Sequence, residues 1–141
     1  MSLNKIQRGK SWRIPFAAYH PMIAIDVYIK NAGKRVFLVD TGAAISIATP
    51  RLIPLFGWDP DKPPRRQIIS GIGVTRLSIP TFATDRLQIG GLTLGTVELA
   101  VVNLPGEVRA DGIIGLNVLR NFRVTLEFDT RTLILRPLRK Q

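Results

Sequence analysis

The sequence predicts an all-β domain, a closed or partly closed barrel with one short helix near its C-terminal end. Three observations point there. Apolar residues recur in short runs with a period of two, the pattern of half-buried strands. Glycines and prolines fall singly between those runs as turn signals, with no repeat or low-complexity tract. Only Gly115–Asn121 reads as helical with any force.

The elements follow in order. Met22–Lys30 alternates, with Ile23, Ile25, Val27 and Ile29 on one face, and Asn31-Ala32-Gly33-Lys34 turns the chain into Arg35–Asp40. An Asn and a Gly between two alternating runs signal a hairpin. Its second strand ends at a carboxylate. Ile45–Ala48 continues as a β-type segment, Thr49-Pro50 leads into a short turn of helix around Arg51–Phe56, and the polar, proline-rich stretch Asp59–Pro64 is a loop. Arg66–Ile69 and Thr75–Ile79 form a second hairpin around Ser70-Gly71-Ile72-Gly73. Strands at Arg86–Ile89, Leu92–Leu94 and Val97–Val102 surround the Gly90-Gly91 turn, and Leu104–Ala110 is a loop. After the helix come a strand at Arg123–Phe128, a turn at Asp129–Thr132 and a strand at Leu133–Arg136.

A chain of 141 residues, 45% of them hydrophobic, fits one globular domain with a real core. Cysteine is absent, which excludes disulfides, thiolate zinc sites and a cysteine nucleophile. His20 is the sole histidine, so one chain builds neither a histidine triad nor an HExxH zinc site. Carboxylates remain for acid/base work, and no metal or cofactor is expected. The longest apolar stretches, such as Met22–Ile25 and Phe37–Val39, fall far short of a bilayer span, and the basic first 17 residues lack the apolar core of a signal peptide.

Net charge is +10, with Lys5, Arg8, Lys10 and Arg13 preceding any acid and Arg136, Arg139 and Lys140 near the end. Charge clusters at termini are usually solvated tails, so contact with nucleic acid or membrane through them is the lesser expectation. Nucleic-acid binding is further disfavoured because aromatics make up 7% of the chain and no strand shows a clustered aromatic and basic face. The divisions expected are a basic N-terminal segment at 1–19 (a linker or a cut end), a folded domain at 20–136 and a basic tail at 137–141. A cytoplasmic-side domain and attachment to a membrane through a further segment are both compatible with this composition, and localisation stays open.

The most informative stretch is 37–43, Phe-Leu-Val-Asp-Thr-Gly-Ala. It delivers Asp40 from an apolar strand into a tight turn, and a carboxylate so placed is costly unless hydrogen-bonded, paired or put to work. The heptapeptide resembles the active-site signature of aspartic proteases. Two further segments match retropepsins in the expected order: Ile69-Ser70-Gly71-Ile72-Gly73, like the glycine-rich tip of the flap hairpin, and Gly112-Ile113-Ile114-Gly115-Leu116-Asn117, like the motif leading into the short C-terminal helix. The resemblance spans about residues 20–128. It implies a retropepsin-like acid protease barrel, in the non-viral, bacterial branch.

Pepsin-like enzymes carry two such triplets, and this chain has one. The resemblance therefore implies a single-domain protomer of a homodimer, with Asp40 of each copy meeting across a two-fold axis to hydrolyse a protein or peptide substrate. It implies roles for Asp40, Thr41 and Gly42 in catalysis. Thr41 would be hydrogen-bonded across the axis, and Gly42 would permit a backbone geometry and close approach that a Cβ would hinder. Ala43, Ala44, Ile45, Ile47 and Ile113 are expected at the substrate cleft, and Gly71, Ile72 and Gly73 in the flap that covers it. Asp111 precedes glycine outside any Asp-Thr-Gly setting and is not expected to be catalytic; Asp26 is expected to be exposed, and His20, Trp12 and Trp58 have no assigned chemistry.

The match departs from the viral pattern in one coherent way. Where retroviral enzymes pair an aspartate with an arginine, this chain has Ala44 and Leu116. It also runs on past the usual viral C-terminus, so an added hairpin replaces or blocks the interleaved termini of viral dimers. The alternative expectation is a catalytically weak or inactive binding or dimerisation module of the same fold.

Overall fold

A computed structural model describes residues 9–18, 20–71 and 74–138, with backbone alone at 70, 71, 74 and 75. The strands are β1 (Trp12–Pro15), β2 (Ala24–Ile29), β3 (Gly33–Val39), β4 (Ser46–Ala48), β5 (Arg65–Gly71), β6 (Val74–Thr84), β7 (Leu87–Ile89), β8 (Leu92–Thr93), β9 (Val97–Val101), β10 (Gly112–Ile114), β11 (Phe122–Glu127) and β12 (Thr132–Pro137). A 3₁₀ turn at Pro50–Leu52 runs into α1 (Ile53–Phe56), and α2 is Leu116–Leu119. None of the described helices is long and apolar enough to cross a membrane.

Nine strands form one sheet in the order β5-β6-β9-β4-β10-β3-β2-β7-β8, and the other three form a small sheet in the order β1-β12-β11. The all-β expectation holds, but no barrel closes among the described residues. β5 and β8 are free edges: β8 has two residues to offer a partner, and β5 belongs to the β5–β6 hairpin at the opposite end of the order.

The first hairpin forms as its alternation dictates. β2 buries Ile25, Val27 and Ile29 on one face and exposes Asp26 and Tyr28 on the other, in register with β3 from Ala24↔Leu38 to Ile29↔Gly33. Asn31 (φ 67°) and Gly33 (φ 84°) take the left-handed conformations that the tight connection needs. The unbroken run Phe37-Leu38-Val39 is buried on both faces of the sheet. Phe37 and Val39 join the main core, whereas Leu38 joins a smaller cluster with Ala24 and Ala110.

β10 fills the slot between β3, parallel to it, and β4, antiparallel to it. A Cβ at Gly112 would overlap the Ile47 carbonyl oxygen and the Phe37 ring, so the slot admits only glycine there. The small sheet packs its inner face, including Ile14, Phe122, Leu133 and Leu135, into the main core. The sequence divides the chain at residue 20, yet Trp12–Pro15 of the basic segment pair with β12 from Trp12↔Leu135 to Pro15↔Thr132. Trp58 stacks between Phe56 and Phe82, at centroid distances of 4.2 and 4.7 Å, and donates to the Ala83 carbonyl, which gives it a packing role.

Candidate active site

The β3 strand carries Asp40 to its site. Beside it β10 runs parallel, with Ile114 opposite Val39, and the Asp40 amide donates to the Ile114 carbonyl at 3.0 Å. The chain then turns sharply: Gly42 N–H donates to Asp40 Oδ1 at 2.8 Å, and Ala43 N–H to the Asp40 carbonyl at 3.3 Å. The carboxylate is partly buried, with Thr41 and Gly42 exposed beside it. A Cβ on Gly42 would sit 3.1 Å from Asp40 Oδ1, while the residue's φ lies outside the left-handed region. Glycine thus keeps the space beside the carboxylate clear, and its backbone here is one that other residues also adopt. Among the described residues no ion pair reaches Asp40.

A polar network fixes the far side of the loop. Leu116 N–H donates to the Ala43 carbonyl at 2.7 Å, and Gly115 N–H to Ser46 Oγ at 2.9 Å. Asn117 Oδ1 accepts from both Ser46 N–H (2.8 Å) and Ser46 Oγ–H (2.7 Å), while its Nδ2 donates to the Glu98 carbonyl at 2.8 Å. Ser46 is fully buried, and its bond from Gly115 N–H is made away from water, while the Asn117 bonds are partly buried. A Cβ at Gly115 would fall 2.6 Å from the Ala43 carbonyl oxygen and 2.9 Å from that of Ile45. The third motif thus clamps the loop that bears Asp40. Ser46 was not singled out in the sequence; a lone hydroxyl inside the apolar run Ile45–Ala48 was the signal available.

The remaining candidates fall as follows. Ala43 and Ile45 are partly buried and Ala44 is exposed, all in the loop after Asp40. Ile47 on β4 and Ile113 on β10 are cross-strand neighbours, both partly buried, and Ile113 packs on the cluster of Leu38, Ala24 and Ala110. Gly71 ends β5 and pairs with Val74 across the hairpin, whereas Ile72 and Gly73 lie outside the described residues.

Asp111 is occupied elsewhere. Its carboxylate accepts from Val36 N–H at 2.9 Å and pairs with Arg51 at 2.8 Å, and its carbonyl receives both Thr49 N–H and Thr49 Oγ–H. It sits at the start of β10 and Asp40 lies beside the end, a separation of about 13 Å along the strand. No cluster of three or more His, Asp or Glu able to hold a metal occurs among the described residues. A cleft of about 530 Å³ at the foot of the β5–β6 hairpin, lined by Arg65, Thr81, Phe82, Glu98 and Asn117, does not include Asp40.

A buried strand ending in Asp-Thr-Gly, with a Gly-x-Asn segment clamping its loop, defines an aspartic-protease type of site. The family model for aspartyl proteases matches residues 25–118, and the chain belongs to that family. The crystal structure of a retropepsin-like aspartic protease from Rickettsia conorii is similar over 89% of this chain and 89% of that one, with a TM-score of 0.64 at 20% identity. The fold is therefore retropepsin-like. Among curated proteins none matches the chain.

Proposed function

We propose that the protein is an aspartic endopeptidase, active as a homodimer in which Asp40 of each copy faces its mate across a two-fold axis. The observation that carries this reading is the isolation of Asp40: a carboxylate held at a loop tip, unpaired among the described residues, with Asp111, the carboxylate just before the third motif, committed to Arg51 and Val36. One carboxylate is half of a two-carboxylate site, and a second copy supplies the other half.

Two carboxylates about 3 Å apart cannot both ionise, so the pair retains one proton between them across the mid-pH range. The ionised member takes a proton from water as it attacks the scissile carbonyl. The protonated member donates a hydrogen bond to that oxygen and later passes its proton towards the leaving amine. Gly42 N–H, at 2.8 Å from Oδ1, orients the carboxylate throughout. Thr41 hydrogen-bonds across the axis in this reading, which its exposure beside Asp40 supports. Ile47 and Ile113 form apolar cleft wall with Ala43, Ala44 and Ile45 at its floor, and the β5–β6 hairpin with Gly71, Ile72 and Gly73 at its tip serves as a flap over a bound peptide.

The test is cleavage of a diverse peptide library between about pH 4 and 7, comparing the wild type with Asp40→Asn while sedimentation reports the oligomer. Cleavage by the wild type and none by a dimeric variant is the expected result. A dimeric wild type that cuts nothing favours the other reading, a binding or dimerisation module, for which Ala44 and Leu116 in place of the ion pair are the supporting feature.

A further inference from the structure

We propose that His20 is a pH-dependent positioning residue, latching the wall of the substrate cleft while its ring is neutral. Met22 N–H donates to His20 Nδ1 at 3.1 Å, and His20 Nε2 lies 3.3 Å from the Arg109 carbonyl oxygen. An amide N–H only donates, so Nδ1 carries no proton; a carbonyl only accepts, so Nε2 carries one. Together the two contacts demand one tautomer of the neutral imidazole. A second proton on Nδ1 would set donor against donor at Met22.

The ring joins two segments that flank the site. On one side Met22 leads into Ile23, whose carbonyl accepts the amide of Val39, the residue before Asp40. On the other, Arg109 closes the loop 104–110, whose Leu104, Val108 and Ala110 pack with Leu38 and Ile113. His20 thus staples the loop to the lead-in of β2 beside the apolar cluster that holds Ile113. The charged groups on the segments it joins are Glu107 and Arg109, both exposed on the loop, the Arg51–Asp111 pair at its end, and Asp26 on β2. Arg51 also donates to the Ala110 carbonyl, so the loop keeps this tie when the histidine lets go.

Protonation releases Met22, loosens the loop and weakens substrate binding, raising KM more than it lowers kcat. The KM effect rests on the proposed placement of Ile113 in the cleft.

As the only histidine, His20 gives a single imidazole signal to follow by NMR. In the wild type the Met22 amide resonance should move along the same titration curve as the ring. In His20→Asn, whose side-chain oxygen replaces Nδ1 as a non-titrating acceptor, it should stay flat across that range. With a cleaved peptide in hand, KM in the wild type should rise about two- to tenfold along the ring's own NMR titration curve, the worth of one hydrogen bond. The rise should vanish in His20→Asn, and KM should be high throughout in His20→Lys. A Met22 amide indifferent to the ring's titration overturns the latch. An unchanged KM profile in His20→Asn overturns its bearing on the cleft. The NMR arm needs no proteolysis and decides the latch even if no peptide is cut.

Discussion

Asp40 and Asp111 show how neighbours set the work of a carboxylate. Both stand next to β10, but Asp111 meets a backbone N–H and a guanidinium, whereas Asp40 meets one amide beside exposed residues. Asp40→Asn should lower kcat by at least about 10²-fold while leaving the thermal unfolding midpoint nearly unchanged. Asp111→Ala should retain kcat and lose about 1–3 kcal/mol in denaturant unfolding, because Val36 N–H is left without its acceptor. The ion pair adds little to that loss, since the Arg51 side chain is 65% exposed. The setting of Asp40, a buried strand ending in a tight turn, was legible because it is written in seven consecutive residues. The role of Asp111 was not, because Val36 lies 75 positions away and only the β3–β10 pairing brings the two together.

Among the elements, those with a local signature were legible. The β2–β3 hairpin follows from its alternation and its Asn–Gly turn, the β5–β6 hairpin from the glycines at its tip, and α2 from the motif that starts it. Three features depended on distant partners. β10 has three residues and no alternation, and its identity comes from fitting between β3 and β4. β1 follows Arg8 and Lys10, itself contains Arg13, and reads as a tail until β12 is beside it. β6 runs on through Pro80, which sits just outside the stretch Thr81–Thr84 that pairs with β9. At this scale the network around Ser46 is the most exposed to mutation. Asn117→Ala strips buried Ser46 and the Glu98 carbonyl of partners and should cost about 2–4 kcal/mol by chemical denaturation. Gly115→Ala should cost about 1–3 kcal/mol by pushing the Ala43 and Ile45 carbonyls away, and the proposed activity should fall with it as the Asp40 loop shifts.

The whole molecule is an open nine-stranded sheet with a three-stranded sheet packed against it through Ile14, Leu133 and Leu135. Sequence patterning finds strands but says little about which edges close, and among the described residues the sheet stays open at β5 and β8. The small sheet pairs the N-terminal strand with the C-terminal hairpin inside one chain, so termini that interleave between subunits in viral dimers are here already partnered. Ile14 is 3% exposed, and Ile14→Ala should cost about 2–4 kcal/mol in equilibrium unfolding, a penalty that a solvated tail would not show.

The central claim is that each active site takes Asp40 from two copies, and subunit mixing tests it most directly. Wild type is equilibrated with a ninefold excess of Asp40→Asn, exchange is verified by mass, and cleavage is measured per wild-type chain. Shared sites predict that this specific activity falls to about one tenth, because few wild-type chains find a wild-type mate. Activity per wild-type chain that does not change would contradict the account, since each chain would then carry a complete site of its own.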